Sequence, residues 1–556
     1  MRSAPLFILK ILQVFDIAQM WKVCAKYAIF FCMETRKLPI GIQTFSEIRN
    51  ENYLYVDKTQ LIYELVQSGC PTFLARPRRF GKSLLVSTMR AYFEGHKELF
   101  NGLAISKLEK NWEEHPVIHL DFSSAGSFKT NQDLKDALEW KLSAYEEKYN
   151  IKNKPALFSL RLGNIIKIAN EQTGKKAAVL IDEYDKPILD ALQTPDRDAN
   201  HDTMRSFYGV LKSCDPYMCF LFLTGITKFA KVSIFSELNQ LLDISMSEKY
   251  STICGITEDE IKKVFAPEIE AFAKSENVNT EKMLAMLKQK YDGYHFCDTC
   301  PDIYNPFSLI NALNERRLKS YWFQTATPAM LFGLIENAKY DLTDILDGVT
   351  LDADSFSDYR VGGGSLTPII YHSGYLTIKD YDKESNLYTL KFPNEEVRSG
   401  FIKFLLPLYT NIPEDKLGLT VEHFRKAIAT RDTETLMTLF SAAIADLPTR
   451  RSVNMEYAYQ VAFHAMLRQT GFDVESEQQV IGGRVDVTLE TRDTVYIFEL
   501  KMDNGKAWAE VADTALAQIE KKGYAARYAN SSKKIYKFAL VFSTEKGGLA
   551  GYKMTE

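Results

Sequence analysis

The feature that most constrains the fold is an alternation, between about residues 70 and 225, of short apolar runs with longer segments of helical periodicity. Such alternation predicts a parallel sheet covered by helices. The runs end in polar or small residues, at the edge where open α/β sheets bind their ligands. The predicted strands are PTFLA (71–75), VIHLDF (117–122), AAVLID (177–182) and CFLFLTG (219–225).

The first predicted strand leads into RPRRFGKSLL, whose Gly81, Lys82 and Ser83 match the end of a phosphate-binding loop. Main-chain N–H groups at the start of the following helix would face a phosphate, Lys82 would reach the β and γ phosphates, and Ser83 would ligate Mg²⁺. The common pattern has a glycine where this chain has Arg76, which cannot adopt a positive φ cheaply. A lone Gly-Lys-Ser is weak, so the nucleotide hypothesis needs a second motif.

That second motif is AAVLIDEYD, a buried strand that brings Asp182 and Glu183 to its end. Asp182 would hold Mg²⁺ through water and Glu183 would polarise the attacking water, although an Asp-Glu pair can also simply cap a loop. The strand VIHLDF is expected to lie between the two motifs. Thr224 ends the next strand, as a sensor of the γ phosphate or as a structural residue. Arg79 either steadies phosphate charge or lies on a solvated loop, and Arg78 has the same two readings.

The last hundred residues form a second α/β pattern, in which two helices flank the strands GGRVDVTLE and TVYIFELK. If Arg492 and Asp493 form a two-residue turn, residues paired across the hairpin have numbers that sum to 985, which sets Asp486 opposite Glu499. Lys501 shares a face with Glu499 because side chains alternate along a strand. Two facing carboxylates suit Mg²⁺ or Mn²⁺, and Lys501 could orient a water. The alternative is a surface ion pair worth less than about 1 kcal/mol.

Six motifs follow one another along the chain: LPIGIQTFSEIRNENYLYVDKT, FLARPRRFGKSLL, LIDEYDKP, FLTGITKFAKVSIFSELN, YDGYHF and YNPFSL. In this order they resemble the bacterial AAA-ATPase-like family, whose members commonly carry a C-terminal PD-(D/E)XK nuclease-superfamily domain. The resemblance covers nearly everything from residue 36 to the C-terminus. It implies an α/β fold: a P-loop NTPase parallel sheet, a helical middle region and a restriction-endonuclease-like α/β domain. It also implies that Glu456 completes the metal shell and that Gln518 supports the site.

A chain of 556 residues is too long for one ordinary core. The predicted divisions are an extension outside the fold (1–35), a P-loop ATPase-like domain (36–254), a helical lid or adaptor with a mixed segment (255–410) and a nuclease-like domain (411–556). The mixed segment follows a flexible break at VGGGS (361–365). The first 32 residues contain neither an uninterrupted membrane span nor a secretory cleavage site, and an interfacial helix is their minority interpretation.

The composition of the chain limits the classes of partner that it is expected to bind. A net charge of -4 argues against a protein that coats nucleic acid by global charge, and residues 451–556 contain as many acidic as basic residues. Of 8 cysteines only Cys297 and Cys300 form a C-x-x-C pair, which is interpreted as a loop coincidence in a protein of the reducing cytoplasm. No membrane association is expected, and a homo-oligomer is left open.

These patterns together predict an ATP-binding and ATP-hydrolysing protein joined to a Mg²⁺-dependent nuclease, with DNA, foreign DNA included, a better candidate substrate than RNA. The alternative function is non-catalytic: ATP would be a structural or signalling ligand, and the C-terminal domain would only bind nucleic acid or protein.

Overall fold

The computed structural model describes residues 37–228, 241–325, 345–346, 348–353, 366–445, 455–480, 483–528, 531–543, 545 and 547–556, a few of them by their main chain alone. The predicted N-terminal extension and the VGGGS break lie outside the described residues.

A five-stranded parallel sheet forms the N-terminal part, and its strands are β1 (Thr72–Ala75), β2 (Val117–Asp121), β3 (Ala177–Asp182), β4 (Met218–Gly225) and β5 (Leu242–Asp243). The order across the sheet is β2-β3-β4-β1-β5. The predicted parallel sheet and its four strands are confirmed. The expected position of VIHLDF is wrong, because β4 separates β1 from β3 and β2 lies at the edge. The helices here are α1 (Phe45–Asn50), α2 (Thr59–Gln67), α3 (Lys82–Phe93), α4 (Ile105–Leu108), α5 (Asn131–Lys148), α6 (Phe158–Thr173), α7 (Lys186–Leu189) and α8 (Arg197–Gly209).

The middle region begins at Thr257, which forms with Glu260 a capping box that satisfies two main-chain N–H groups. Its helices are α9 (Glu258–Val264), α10 (Ala266–Ser275), α11 (Thr280–Tyr291), α12 (Pro306–Glu315), α13 (Trp322–Thr325) and α14 (Thr367–His372). Two small antiparallel sheets accompany them, formed by β6 (Ile256–Thr257) with β7 (Ile303–Tyr304), and by β8 (Val349–Asp352), β9 (Thr377–Asp382) and β10 (Leu387–Lys391). Cys297 and Cys300 are disulfide-bonded and buried, so their interpretation as a coincidence is wrong.

The C-terminal part is a mixed five-stranded sheet in the order β11-β12-β13-β14-β15, with only β13 and β14 parallel. Its strands are β11 (Asp473–Val480), β12 (Gly483–Glu490), β13 (Thr494–Met502), β14 (Lys534–Phe542) and β15 (Leu549–Thr555). The helices that precede and flank it are α15 (Glu395–Tyr409), α16 (Leu417–Thr430), α17 (Thr433–Ile444), α18 (Met455–Gln469) and α19 (Trp508–Lys521). The α/β prediction is confirmed; β11 and β15 are additional strands.

The hairpin β12–β13 has the predicted register. Val487 pairs with Phe498, and the Thr491 N–H donates to the Thr494 carbonyl (2.8 Å), which leaves Arg492 and Asp493 as the turn. Arg-Asp is a poor turn sequence, but Arg431, the residue that follows α16, donates to the Thr494 hydroxyl (3.0 Å) and to the Asp493 carboxylate. A tertiary contact therefore supports a turn that the local sequence does not favour.

Candidate functional sites

The phosphate-loop candidate connects β1 to α3 and turns without its first glycine. Gly81 has a φ of 91°, and a Cβ there would meet nothing within 4 Å, so glycine is required for its conformation and not for space. Arg79 also has a positive φ, 68°. A left-handed conformation costs a non-glycine residue about 1–2 kcal/mol. The loop therefore turns through left-handed conformations at Arg79 and Gly81, without a glycine at position 76.

Arg76, at that first-glycine position, is buried and holds the loop to the rest of the domain. Its guanidinium donates to the carbonyl of the preceding residue (2.9 Å) and to that of Ser245 (2.7 Å), and it lies at longer range from the carbonyls of Tyr250 and Ser251. The Phe296 ring stacks on it at 4.0 Å. Arg76 is therefore an anchor of the loop and does not face the cavity. Sequence reasoning missed this role, because a buried arginine paired with carbonyls leaves no local pattern.

Lys82 and Ser83 begin α3 as the motif predicts. The Lys82 ammonium is buried and donates to the carbonyls of Arg76 (2.9 Å) and Pro77 (3.1 Å). Burial lowers its pKa, and the negative charges of Glu183 and Asp182 oppose that shift. The ammonium group therefore lies inside the loop, bound to two loop carbonyls, and is close to the Asp182 and Glu183 carboxylates of the second motif.

Asp182 and Glu183 lie at the end of β3, as predicted. Burial raises the pKa of Asp182 to about 6, while the Ser83 hydroxyl, which faces this carboxylate, favours its charged form. Glu183 has a φ of 51° and lines the cavity. Burial also raises the pKa of Glu183, and Lys82 counteracts it. A strained acidic residue beside a buried lysine is typical of catalytic sites.

The cavity in front of the loop has a volume of about 530 Å³, within the range of small-molecule sites. Its charged lining residues are Arg78, Arg79, Lys82, Glu183, Lys186 and Asp190. Its apolar lining residues are Pro39, Ile40, Ile42, Leu84, Pro306, Phe307 and Ile310. The guanidinium of Arg79 lies 4.8 Å from the centre of the Phe307 ring. This combination suits a ligand with an anionic end and a flat apolar end.

Thr224 is not among the residues that line this cavity. Its hydroxyl is buried and donates to the Leu74 carbonyl of the adjacent strand (2.8 Å), so the structural reading describes its contacts. The acid that organises this strand end is Asp185, which sequence reasoning missed. Its Oδ2 accepts from the N–H groups of Ile226 (3.0 Å) and Thr227 (2.6 Å) and from the Thr227 hydroxyl (2.7 Å). The second aspartate of DEYD was the available signal.

The second site lies on the β12–β13 hairpin, away from its turn, and brings Asp486, Glu499 and Lys501 together. The Lys501 Nζ is 2.8 Å from Glu499 Oε1 and 3.8 Å from Asp486 Oδ2. Asp486 also accepts from the Leu500 N–H (2.7 Å). Since both oxygens neighbour one nitrogen, they are at most about 7 Å apart, and small movements would let a cation with ligands at about 2.0–2.6 Å reach both.

Glu499 is almost fully buried, and its charge is costly. Burial, with the neighbouring Asp486 charge, raises its pKa to about 7, while Lys501 favours ionisation. Gln518 of α19 donates to Glu499 Oε1, as the resemblance implied, and its amide also lies 3.4 Å from the Tyr524 hydroxyl. Lys522 favours the charged forms of both Glu499 and Asp486.

The site has part of the ligand set that a divalent cation needs. Among the described residues, Glu499 Oε2 is buried with no hydrogen-bond partner, which suits a hard cation. No group of three His, Cys, Asp or Glu able to hold a metal occurs within those residues. Glu456, the predicted third ligand, belongs to α18, but its side chain is outside the described residues. Two carboxylates, one with a free oxygen, are therefore the ligands on which a metal hypothesis rests.

Comparison with known proteins gives two family matches. Residues 39–235 match the AAA-ATPase-like family, described as a predicted AAA-ATPase, and residues 454–550 match the PD-(D/E)XK nuclease superfamily. The chain is also similar to a protein of Azotobacter chroococcum mcd 1 named "Uncharacterized protein in vnfD 5'region", with 34% identity over 529 residues, 94% of this chain and 99% of that protein. The first match contains Lys82 and Asp182, and the second contains Asp486 and Glu499.

Across the parts of the chain that the structure describes, no helix combines the length and apolarity needed to cross a membrane.

Proposed function

The chain belongs to the same family as the Azotobacter protein and combines an AAA-ATPase-like region with a C-terminal PD-(D/E)XK nuclease-superfamily domain; from this premise we propose that it binds and hydrolyses ATP and cleaves phosphodiester bonds, of DNA in preference to RNA. The observation that best supports a catalytic C-terminal domain is the burial of the Glu499 carboxylate against Lys501 and Asp486. A carboxylate with an unpaired oxygen and a raised pKa is costly to maintain, and active sites are where such costs are found.

At the first site, the phosphate chain of ATP would lie over Gly81, with Lys82 turning from the loop carbonyls to the phosphates. Ser83 and Asp182 would hold Mg²⁺, which supplies charge neutralisation between the phosphates. Glu183 would accept a proton from the attacking water, a task that its raised pKa favours. The base would pack against the apolar lining residues, such as Phe307 and Ile310.

At the second site, Asp486 and Glu499 would hold Mg²⁺ or Mn²⁺, with Glu456 as a further ligand. The ion would acidify a bound water and polarise the phosphate. Lys501 would leave its contact with the two carboxylates as the ion binds, and would then orient the attacking water or stabilise charge on the phosphate. Gln518 would keep Glu499 in position.

The ATPase proposal is tested with purified protein, Mg²⁺ and ATP. Lys82→Ala should abolish ATP binding measured by calorimetry and phosphate release measured in parallel. The matched control is Lys186→Ala, which removes another cationic side chain of the cavity but not one on the phosphate loop. If Lys82→Ala hydrolyses ATP at the wild-type rate, this proposal is wrong.

The nuclease proposal is tested by nicking of supercoiled DNA and by cleavage of single-stranded DNA and RNA with Mg²⁺ or Mn²⁺. Asp486→Asn should remove cleavage, and Asp493→Asn, in the turn of the same hairpin, should retain it. Equal cleavage by wild type and Asp486→Asn would assign the activity to a contaminant. Binding without cleavage would instead support the non-catalytic alternative, in which the domain only holds nucleic acid.

A further inference from the structure

A buried carboxylate in the middle region joins the phosphate loop to the nuclease-like domain. Glu396, near the start of α15, is almost fully buried. Its Oε1 accepts from the Trp322 N–H (2.8 Å) and from the Tyr321 N–H. The Ser308 side chain also faces this carboxylate and favours its charged form, against the burial that raises its pKa. Three segments that are distant in sequence therefore converge on one side chain.

Trp322 continues the connection to the phosphate loop. Its indole N–H donates to the Arg78 carbonyl (3.2 Å), and the side chain is buried. The loop is packed closely here, because a Cβ on Gly374 would lie only 2.6 Å from Pro77 and 3.4 Å from the Trp322 ring. A displacement of the loop at Arg78 would therefore displace the indole as well.

Ser308 of α12 lies near the Glu396 carboxylate, but its buried hydroxyl makes no hydrogen bond within the described residues. The connection between Glu396 and the phosphate loop is therefore made by Trp322, whose main-chain N–H and indole N–H contact Glu396 and Arg78 respectively.

The other end of the connection is α15, which carries Glu396 and packs against α18. The Gln469 amide of α18 donates to the Ser399 carbonyl of α15 (2.9 Å). On α18, Phe463 contacts Phe498 with ring centres 4.7 Å apart. Phe498 precedes Glu499 on β13, so the contacts extend without a gap from the phosphate loop to the strand of the second site.

We propose that Trp322 and Glu396 are positioning residues that couple the phosphate loop to α18. Nucleotide bound at the loop then changes how readily the main-chain hydrogen bonds of α18 open. This coupling rests on the proposed nucleotide site but not on nuclease activity. A coupling between two sites requires an element that both of them bias, and α15 with its buried carboxylate is that element.

Amide hydrogen exchange of the full chain reports on the phosphate loop and on α18 in one experiment. It is measured with and without ATP at the same free Mg²⁺ concentration. In wild type, ATP should slow exchange in residues 76–85 and change exchange in residues 458–469 by at least about threefold. Trp322→Phe keeps an aromatic ring but removes the N–H donor. It should retain protection of the loop at saturating ATP and lose the response of α18.

Two substitutions at neighbouring positions complete the test. Glu396→Ala should lose the response of α18, and Glu396→Gln, which keeps an acceptor oxygen, should retain it. Glu395→Gln is the matched control, since Glu395 is more exposed and pairs with Lys290 (2.9 Å), and it should behave as wild type. If Glu396→Ala does not fold, Trp322→Phe decides.

The outcomes are distinct. Wild type with a protected loop and no response of α18 overturns the coupling, as does Trp322→Phe with an unchanged response. If ATP protects no part of the wild-type loop, the nucleotide-site proposal fails, and the coupling fails with it for want of an effector.

Discussion

Glu499 should make the C-terminal domain less stable as the pH rises, and Glu499→Gln should remove that dependence. The pKa of Glu499 is about 7 in the folded chain, against an ordinary value of 4.5. Below pH 4.5 the carboxyl is protonated in both folded and unfolded states and costs nothing. Between pH 4.5 and 7 the unfolded state loses its proton first, so the free energy of unfolding falls as pH rises.

The size of the effect follows from the two pKa values. A difference of about 2.5 corresponds to about 3 kcal/mol, complete above pH 7, because one pKa unit is worth about 1.4 kcal/mol. Relative to wild type, Glu499→Gln should therefore be unchanged in stability at pH 4 and more stable by up to about 3 kcal/mol at pH 8.5. Mn²⁺ at pH 8.5 should stabilise wild type, whose carboxylate it binds, and have a smaller effect on the variant.

The assay is urea unfolding of the full chain in EDTA at several pH values, with exchange of the β13 amides to assign the transition. Glu520→Gln, an exposed carboxylate on α19, is the control, and its difference from wild type should not vary with pH. A wild-type minus Glu499→Gln difference that stays constant from pH 4 to 8.5 would refute a buried, proton-linked Glu499.

Three further predictions concern the phosphate loop. Glu183→Gln should bind ATP with a Kd within about threefold of wild type but lower its turnover by about 10²–10⁴-fold, since only the proton acceptor is lost; a fall in affinity alone, by calorimetry, would contradict that role. Arg76→Met should weaken ATP binding by about tenfold or more while the protein stays folded by circular dichroism, because the loop loses its anchor; an unchanged Kd would show that the anchor is dispensable. Gly81→Ala should lower the free energy of unfolding by about 1–2 kcal/mol, because Gly81 has a positive φ. Gly418→Ala, which lies in a helix with equal space around it, should raise the free energy of unfolding by up to about 1 kcal/mol. Equal effects of the two substitutions in thermal unfolding would mean that φ does not decide the outcome at Gly81.

The sequence was sufficient where the structure is governed by local periodicity. The four strands followed from the alternation of apolar runs with helical segments, and the hairpin register followed from the turn length. The positions of Lys82 and Asp182 followed from the same reasoning, because motifs at strand ends meet at one edge of a parallel sheet.

What the sequence did not predict depends on contacts between distant segments. The order of the strands places β4 between the two nucleotide motifs, and no local pattern encodes that order. Arg76 donates to the carbonyl of Ser245, 169 residues away, and Asp185 accepts from N–H groups that follow the next strand. The Cys297–Cys300 disulfide was misjudged because spacing alone does not distinguish a bonded pair from a chance one.

The two-residue turn at Arg492 and Asp493 has a consequence for how the chain can vary. Neighbouring side chains of β13 point to opposite faces, so Glu499 and Lys501 face α19 while Phe498 faces α18. Loss or gain of one residue in the turn would exchange these faces, bury the charged pair among the aromatic rings beside α18 and turn the aromatic side chains toward α19. A loop remote from any reacting group is therefore expected to keep the site intact only when its length changes by an even number of residues.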